Sequence, residues 1–155
     1  MQKSYVSHSE LDTKKIASRL KADVRELLKV KNPVFIGLKG TLGTGKSTFV
    51  RGFIESWLQN KDHAHIVSPT YNIIKTYEDV VHIDCFRIKS IDQILEAGLD
   101  EYLKKASVIF VEWPELLGSG IDLYFKIDYI VELQFDEAPE RRSISIQQIP
   151  FPQMA

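Results

Sequence analysis

Gly40-Thr41-Leu42-Gly43-Thr44-Gly45-Lys46-Ser47 stands between an apolar run, residues 34–38, and an amphipathic run that begins at Lys46. The spacing G-x-x-x-x-G-K-[ST] between a strand and a helix is typical of a P-loop. Glycines can adopt backbone angles that other residues avoid, so successive N–H groups can turn inward around phosphate oxygens. The positive end of the helix dipole favours the same anions. The stretch therefore predicts a nucleotide-phosphate site.

Individual side chains of this loop have expected roles. Lys46 would place a point charge between the β- and γ-phosphates, and the Ser47 hydroxyl would complete part of a Mg²⁺ shell. The alternative is a chance match in a glycine-rich turn, but glycines, lysine and serine in register between the expected elements argue against it. We therefore expect the nucleotide to bind to Thr41, Leu42, Gly43, Thr44, Gly45, Lys46, Ser47 and Thr48.

The composition is that of one globular domain. The chain has 155 residues, of which 44% are hydrophobic and 26% charged, and we expect a single domain over residues 1–155. A lone cysteine, Cys85, excludes an internal disulfide and fits a reducing compartment. No apolar run reaches membrane-spanning length and the first residues lack a signal-peptide core, so we expect a cytoplasmic protein without membrane contact. A net charge of −1 provides no bulk attraction to nucleic acid.

Hydrophobic periodicity on both sides of the loop predicts alternating helices and strands. A first helix, capped by Ser9 or Asp12, would end at Asn32-Pro33, and a second would run from Lys46 to about Gln59. The predicted strands cover residues 3–7, a candidate edge strand, and residues 34–38, 72–77, 80–87 and 107–112. Short helices cover 91–97, which Ser90 can cap, and 99–105. Residues 126–135 and 142–149 would form an antiparallel hairpin that closes the sheet. The predicted fold class is α/β, a P-loop NTPase-like mixed sheet with flanking helices and a C-terminal antiparallel hairpin.

Two acids stand where predicted buried strands end. Asp84 follows an apolar run and precedes Arg87, and Glu112 follows another apolar run in the manner of a Walker B acid. A carboxylate in such a position can hold Mg²⁺ through water or orient a water molecule, so Asp84 and Glu112 are candidate catalytic residues and Glu112 is a candidate metal residue with Ser47. Arg87 could face phosphate or a protein partner. The alternatives are a structural cap or surface ion pair for Asp84 and a solvated side chain for Arg87.

A small, rigid turn, Ser68-Pro69-Thr70, precedes the strand predicted over 72–77. Beside the γ-phosphate it would offer the Thr70 hydroxyl to a metal or a water and become ordered when the phosphate is present. An ordinary turn is the alternative. Trp113, next to Glu112, either contacts a ligand or partner or covers the edge of the core.

Two other site classes do not fit. Asn60-Lys61-Asp62-His63 differs from the guanine-reading N-K-x-D motif in the position of its aspartate, and the chain contains no D-x-x-G. His63 and His65 with the distant Cys85 are too few and wrongly spaced for a structural zinc site. These patterns argue against a GTPase and a zinc protein.

Four motifs together resemble the TsaE family, also called YjeE. They are the P-loop at 40–47, Ser68-Pro69-Thr70-Tyr71, His82-Ile83-Asp84-Cys85-Phe86-Arg87, and Glu112-Trp113-Pro114. Each short motif is weak alone, but four in this order within one small domain are specific. The resemblance covers most of the chain, from the first helix to the C-terminal hairpin.

The resemblance implies a bacterial ATPase that uses ATP and Mg²⁺ and is needed for threonylcarbamoyladenosine modification of tRNAs that read codons beginning with A. Its partners would be the TsaD and TsaB proteins, and tRNA would be contacted through that complex. Carried over by position, Lys46 and Ser47 bind phosphate and Mg²⁺. The resemblance also marks a switch-like residue, Thr70, and further functional residues, Asp84, Glu112 and Trp113.

The chain departs from the family pattern at two positions. The family usually has an acid in place of Thr41 and a tyrosine in place of Phe86. The first difference puts in doubt a metal or partner role for that acid here, and the second removes a hydroxyl.

Three functional hypotheses follow from the sequence. We expect an ATPase subunit, slow alone, whose hydrolysis resets a modification complex and whose partner meets a rim formed by Ser68, Pro69, Thr70, Arg87 and Trp113. A small-molecule kinase would use the same loop, but the chain has no arginine-rich lid and no obvious second substrate pocket. A nucleotide-dependent assembly factor would use ATP only as a structural ligand.

Overall fold

The computed structural model describes residues 2–59, 73–85, 88, 90–112 and 126–150. Within them the chain forms strands and helices in the order β1 (Gln2–Ser7), α1 (Glu10–Leu28), β2 (Val34–Lys39), α2 (Lys46–Leu58), β3 (Ile74–Tyr77), β4 (Val80–Asp84), α3 (Ile91–Glu96), α4 (Leu99–Lys105), β5 (Val108–Glu112), β6 (Tyr129–Phe135) and β7 (Arg142–Gln148).

The strands form one seven-stranded mixed sheet in the order β1-β7-β6-β2-β5-β4-β3. Strand β2, which leads into the glycine loop, lies in the middle and runs parallel to β5 on one side and β6 on the other. Strand β4 is parallel to β5, so the carboxyl ends of β2, β4, β5 and β6 share one edge of the sheet. In open α/β sheets this is the edge that binds ligands.

Helices cover both faces of the sheet. Residues of α1 and α2 pack on one face against a cluster that includes Ile36, Leu38 and Phe110. Residues of α3 and α4 pack on the other face against Ile83 and Ile109. Side chains alternate between the faces along each strand. Because Val80 and Phe110 point toward α1 and α2, the alternation places Asp84 and Glu112 on the same face as the helix that follows the loop.

Helix α1 begins as its local chemistry predicts. Ser9 is the N-cap, and its hydroxyl accepts a hydrogen bond from the N–H of Asp12 at 3.1 Å. The Asp12 carboxylate in turn accepts the N–H of His8 at 3.0 Å. Two backbone donors are thereby satisfied, in a variant of the capping box in which the Asp12 carboxylate accepts from the residue before the N-cap.

The structure confirms the predicted fold class and refines its details. The predicted elements are present with bounds that differ by a few residues, and β4 ends at Asp84. The predicted C-terminal hairpin forms from β6 and β7, and β1 pairs with β7 as the edge strand predicted over residues 3–7. Ser90 is the N-cap of α3 as predicted, but its side chain makes no capping hydrogen bond. Among the described residues, no helix has the length and apolarity needed to cross a membrane.

Candidate nucleotide-binding site

The glycine loop connects β2 to α2 through three residues of positive φ. Gly40, Gly43 and Gly45 have φ values of 148°, 84° and 103°, which side-chain-bearing residues rarely adopt. Gly45 is also the N-cap of α2, and no side chain caps this helix end. The first N–H groups of α2 therefore face the loop, together with the positive end of the helix dipole.

The loop is braced by its own side chains. The Lys46 Nζ donates to the carbonyl oxygens of Gly40 at 2.7 Å and Thr41 at 3.1 Å, and the lysine is only 6% exposed. The Thr44 hydroxyl is buried and also donates to the Thr41 carbonyl, at 2.8 Å. The cation predicted to meet phosphate is thus already held over the loop, and Thr44 supports the loop's conformation.

Two carboxylates lie on one side of the loop. Glu112 is opposite Asp84 in the β4–β5 register and opposite Leu38 in the β2–β5 register. Glu112 is 3% exposed, and Asp84 is half-buried. The structure therefore brings together the two acids predicted from the sequence. Glu112 lies on the strand next to β2, and Asp84 lies on the strand after that.

The described residues fit a nucleotide with its magnesium ion. The loop offers a helix start that no side chain caps and a buried lysine, which suit phosphate oxygens. Ser47, half-buried in the first turn of α2, together with Glu112 and Asp84, supplies oxygen donors of the kind that Mg²⁺ prefers while keeping several waters. Within the described part of the chain, no group of three or more His, Cys, Asp or Glu residues forms an all-protein metal cage. That donor set agrees with an ion held mainly by phosphates and water.

A cavity of about 480 Å³ opens on the other side of the loop. Its walls come from the β1–α1 turn, the loop with the start of α2, and the β6–β7 turn. They consist of His8, Ser9, Glu10, Thr13, Gly43, Thr44, Gly45, Thr48, Pro139, Glu140 and Arg142. Of these residues, the sequence motif predicts a ligand role only for those of the loop and for Thr48.

Arg142 joins the hairpin to the loop. Its guanidinium donates to the Gly43 carbonyl at 3.4 Å and to the Pro139 carbonyl, and lies 4.4 Å from the centre of the Phe135 ring. The hydroxyl groups of Ser7 and Thr13, 2.7 Å apart, hold the β1–α1 turn on the opposite wall. Residues about 130 positions apart in the chain thus line one cavity, and no local sequence signal marks them.

Several predicted residues lie outside the described part of the chain. These are Ser68, Pro69, Thr70, Arg87 and Trp113. Their roles stay predictions from the sequence. Among the described candidates, Thr41, Leu42 and Gly43 are exposed at the tip of the loop, whereas Ser47 and Thr48 are half-buried in the first turn of α2.

Comparison with known proteins agrees with this architecture. Residues 7–144 match the family model described as Threonylcarbamoyl adenosine biosynthesis protein TsaE. Proteins called tRNA threonylcarbamoyladenosine biosynthesis protein TsaE are similar over much of the chain. The one from Rickettsia felis is 32% identical over 72% of this chain and 63% of its own length, and the one from Bacillus subtilis is 40% identical over 52% and 50%. The matched region thus spans less than two thirds of the length of these two relatives.

A solved structure has the same fold. The crystal structure of YdiB from Bacillus subtilis superposes with a TM-score of 0.61 at 27% sequence identity, covering 97% of this chain and 87% of that one. The family match extends from the end of β1 into β7 and so includes the loop, both acids and all of the residues that line the cavity. The chain belongs to the TsaE family.

Proposed function

We propose that this protein is the ATP-binding and ATP-hydrolysing subunit of the machinery that makes threonylcarbamoyladenosine in tRNA. The P-loop supports the proposal most directly, because three positive-φ glycines, an uncapped helix start and a buried lysine converge on one anion site. Family membership supplies the pathway. Since the modified molecule is tRNA, the proposed location is the cytoplasm.

The strand order indicates on which side of the loop the nucleoside and the γ-phosphate would lie. The cavity lies on the β6–β7 side of the loop and the two acids lie on the β5–β4 side. A triphosphate threaded through the loop would therefore place its nucleoside in the cavity, near His8 and Arg142, and its γ-phosphate toward Glu112. Thr48 lines the cavity and stands in the first turn of α2, where it would meet the α-phosphate.

Lys46 has a defined part in this arrangement. Its Nζ would exchange the carbonyl oxygens of Gly40 and Thr41 for oxygens of the β- and γ-phosphates. The exchange replaces neutral acceptors by charged ones, and charge-assisted hydrogen bonds are the stronger kind. Ser47 and the two acids would hold Mg²⁺, which when bound would supply positive charge to the phosphates.

Glu112 would orient the attacking water. The water oxygen forms a bond to the γ-phosphorus while the bond to the β–γ bridging oxygen breaks, giving ADP and inorganic phosphate. Most of the catalysis in such a reaction comes from positioning and from charge around the γ-phosphate. A carboxylate that is 3% exposed and held at the end of a central strand has little freedom, which suits it to positioning.

A partner would complete the site. The loop tip is open to solvent, since Thr41, Leu42 and Gly43 are exposed and Leu42 is 68% exposed. We propose that the TsaD and TsaB proteins cover this side, that hydrolysis resets their complex, and that tRNA is contacted through them. Turnover by the chain alone would then be slow.

Phosphate release from ATP tests the proposal. The chain alone should release phosphate slowly, and addition of TsaD and TsaB should accelerate the release. Release that requires an added small-molecule hydroxyl would instead indicate a kinase. A variant that binds ATP without hydrolysing it and still supports repeated tRNA modification would indicate an assembly factor. No release under any condition, or no acceleration by the partners, would contradict the proposal.

A further inference from the structure

A buried histidine stands next to the proposed water-orienting acid. His82 lies in the middle of β4 and is 1% exposed. Strand alternation places it on the same face of the sheet as Asp84 and Glu112, and it pairs in register with Phe110, two residues before Glu112. Its Nε2 is 3.1 Å from the Oε2 of Glu112.

The contact is close but not well aligned. Neither ring nitrogen of His82 makes a hydrogen bond of good geometry within the described part of the chain, although the distance from Nε2 to Glu112 is short enough for one. A buried polar group without a well-formed hydrogen bond destabilises the folded protein. The neighbours Val80 and Phe110 are apolar, so packing alone would favour an apolar residue at this position. A buried imidazole here calls for an explanation beyond packing.

We propose that His82 is a positioning residue that orients Glu112. A small rotation of either side chain would bring the Nε2–H into line with Oε2 and fix the direction in which the carboxylate points. Nε2 needs only to carry a hydrogen, which both the neutral ring and the protonated ring allow. In metal sites, residues that hydrogen-bond to a ligand without contacting the metal fix the orientation of that ligand in the same way. The inference rests on the proposed function, because it assigns His82 a role through Glu112.

Two amides provide a matched pair of variants. Glutamine places its side-chain nitrogen near the position of Nε2, whereas asparagine places it near Nδ1, on the side away from Glu112. Both are polar and uncharged, so they differ mainly in where the donor lies. We expect His82→Gln to keep kcat for ATP hydrolysis within about threefold, and His82→Asn to lose about 10- to 100-fold, the range typical of outer-shell partners. The KM for ATP should change little in both, because the proposed role acts through Glu112 on the attacking water.

A double-mutant comparison shows whether the effect passes through Glu112. In a Glu112→Gln background, His82→Asn should lower kcat no further, since the carboxylate it orients is already gone. A similar loss in both backgrounds, or equal losses from the glutamine and asparagine variants, would overturn the inference. Thermal unfolding of each variant controls for loss of the fold.

A spectroscopic measurement does not depend on activity. The ¹⁵N resonances of the His82 ring in the intact protein should show Nε2 bearing hydrogen, and Glu112→Gln should shift the Nε2 signal more than the Nδ1 signal. This comparison also decides the matter if the His82 variants do not fold. Absence of any ring shift would overturn the inference. If the wild-type protein shows the expected ring signals but hydrolyses no ATP, the proposed function fails while the contact stands.

Discussion

Replacing Gly40 by alanine should both destabilise the folded protein and weaken nucleotide binding by the loop. Gly40 has a φ of +148°, and a Cβ at this position would lie 2.5 Å from the backbone oxygen of Leu133 in β6 and 2.7 Å from the Thr44 hydroxyl. The Leu133 carbonyl belongs to a central strand and cannot move aside cheaply. We expect about 1–3 kcal/mol from the unfavourable φ and a further ~1–3 kcal/mol from the clash.

Gly98→Ala is the matched control. Gly98 has a φ of +99°, but a Cβ there would meet only the Tyr102 ring, at an ordinary 3.7 Å, and the residue lies away from the loop. Both variants carry backbone strain and both lose the same flexibility in the unfolded chain. The difference in stability between the two variants therefore measures the clash alone. A clash of about 1–3 kcal/mol corresponds to a melting temperature about 2–12 °C lower in Gly40→Ala than in Gly98→Ala.

Thermal unfolding with and without ATP measures both effects. ATP at a hundred times its dissociation constant should stabilise the wild type and Gly98→Ala by about 2.7 kcal/mol, because ligand binds the folded state alone. Gly40→Ala should gain much less, since its loop can no longer adopt the same path. Equal melting temperatures for the two variants, or an undiminished gain with ATP in Gly40→Ala, would refute the close approach of Gly40 to β6 as the reason for glycine at that position.

Further predictions concern the proposed water-orienting residue Glu112, the predicted partner contact Trp113 and the buried carboxylate Asp128. Glu112→Gln should leave ATP affinity nearly unchanged and lower hydrolysis about a hundredfold or more, because the amide cannot hold ion or water as a carboxylate does; equal turnover would count against the assignment. Trp113→Ala should reduce the TsaD- and TsaB-stimulated rate of phosphate release far more than the basal rate, and equal losses would contradict a partner role. Asp128→Ala should cost about 3–5 kcal/mol in chemical denaturation, because the carboxylate accepts hydrogen bonds from Lys31 at 2.7 Å and the Phe35 N–H at 2.9 Å. Asp128→Asn, which retains an acceptor for Phe35, should cost less, and identical costs would argue against this pair of contacts.

Local chemistry in the sequence predicted much of the fold. Ser9 caps α1, and the glycine loop ends where α2 begins at Lys46, because capping and loop conformation depend on a few adjacent residues. Asp84 and Glu112 were predicted to stand at strand ends, and parallel strands place their carboxyl ends at the same edge. These features follow from short-range patterns.

The pairing of strands that are distant in the chain could not be predicted from the sequence. No pattern within β6 indicates that it pairs in parallel with β2, nor that β1 covers the outer edge of β7. The cavity could not be predicted for the same reason, because His8 and Arg142 meet only after the whole sheet has formed. The contact between His82 and Glu112 likewise depends on the register of β4 against β5.

Calorimetric titration of the protein with Mg·ATP, compared between the wild type and Lys46→Ala, tests the central claim most directly. The wild type should bind one nucleotide. The variant keeps the loop amides but loses the cation that meets the β- and γ-phosphates, and charged hydrogen bonds of about 1.5–3 kcal/mol each predict an affinity at least about tenfold weaker. An unchanged ATP affinity in a folded Lys46→Ala protein would contradict the nucleotide site on which the proposed function depends.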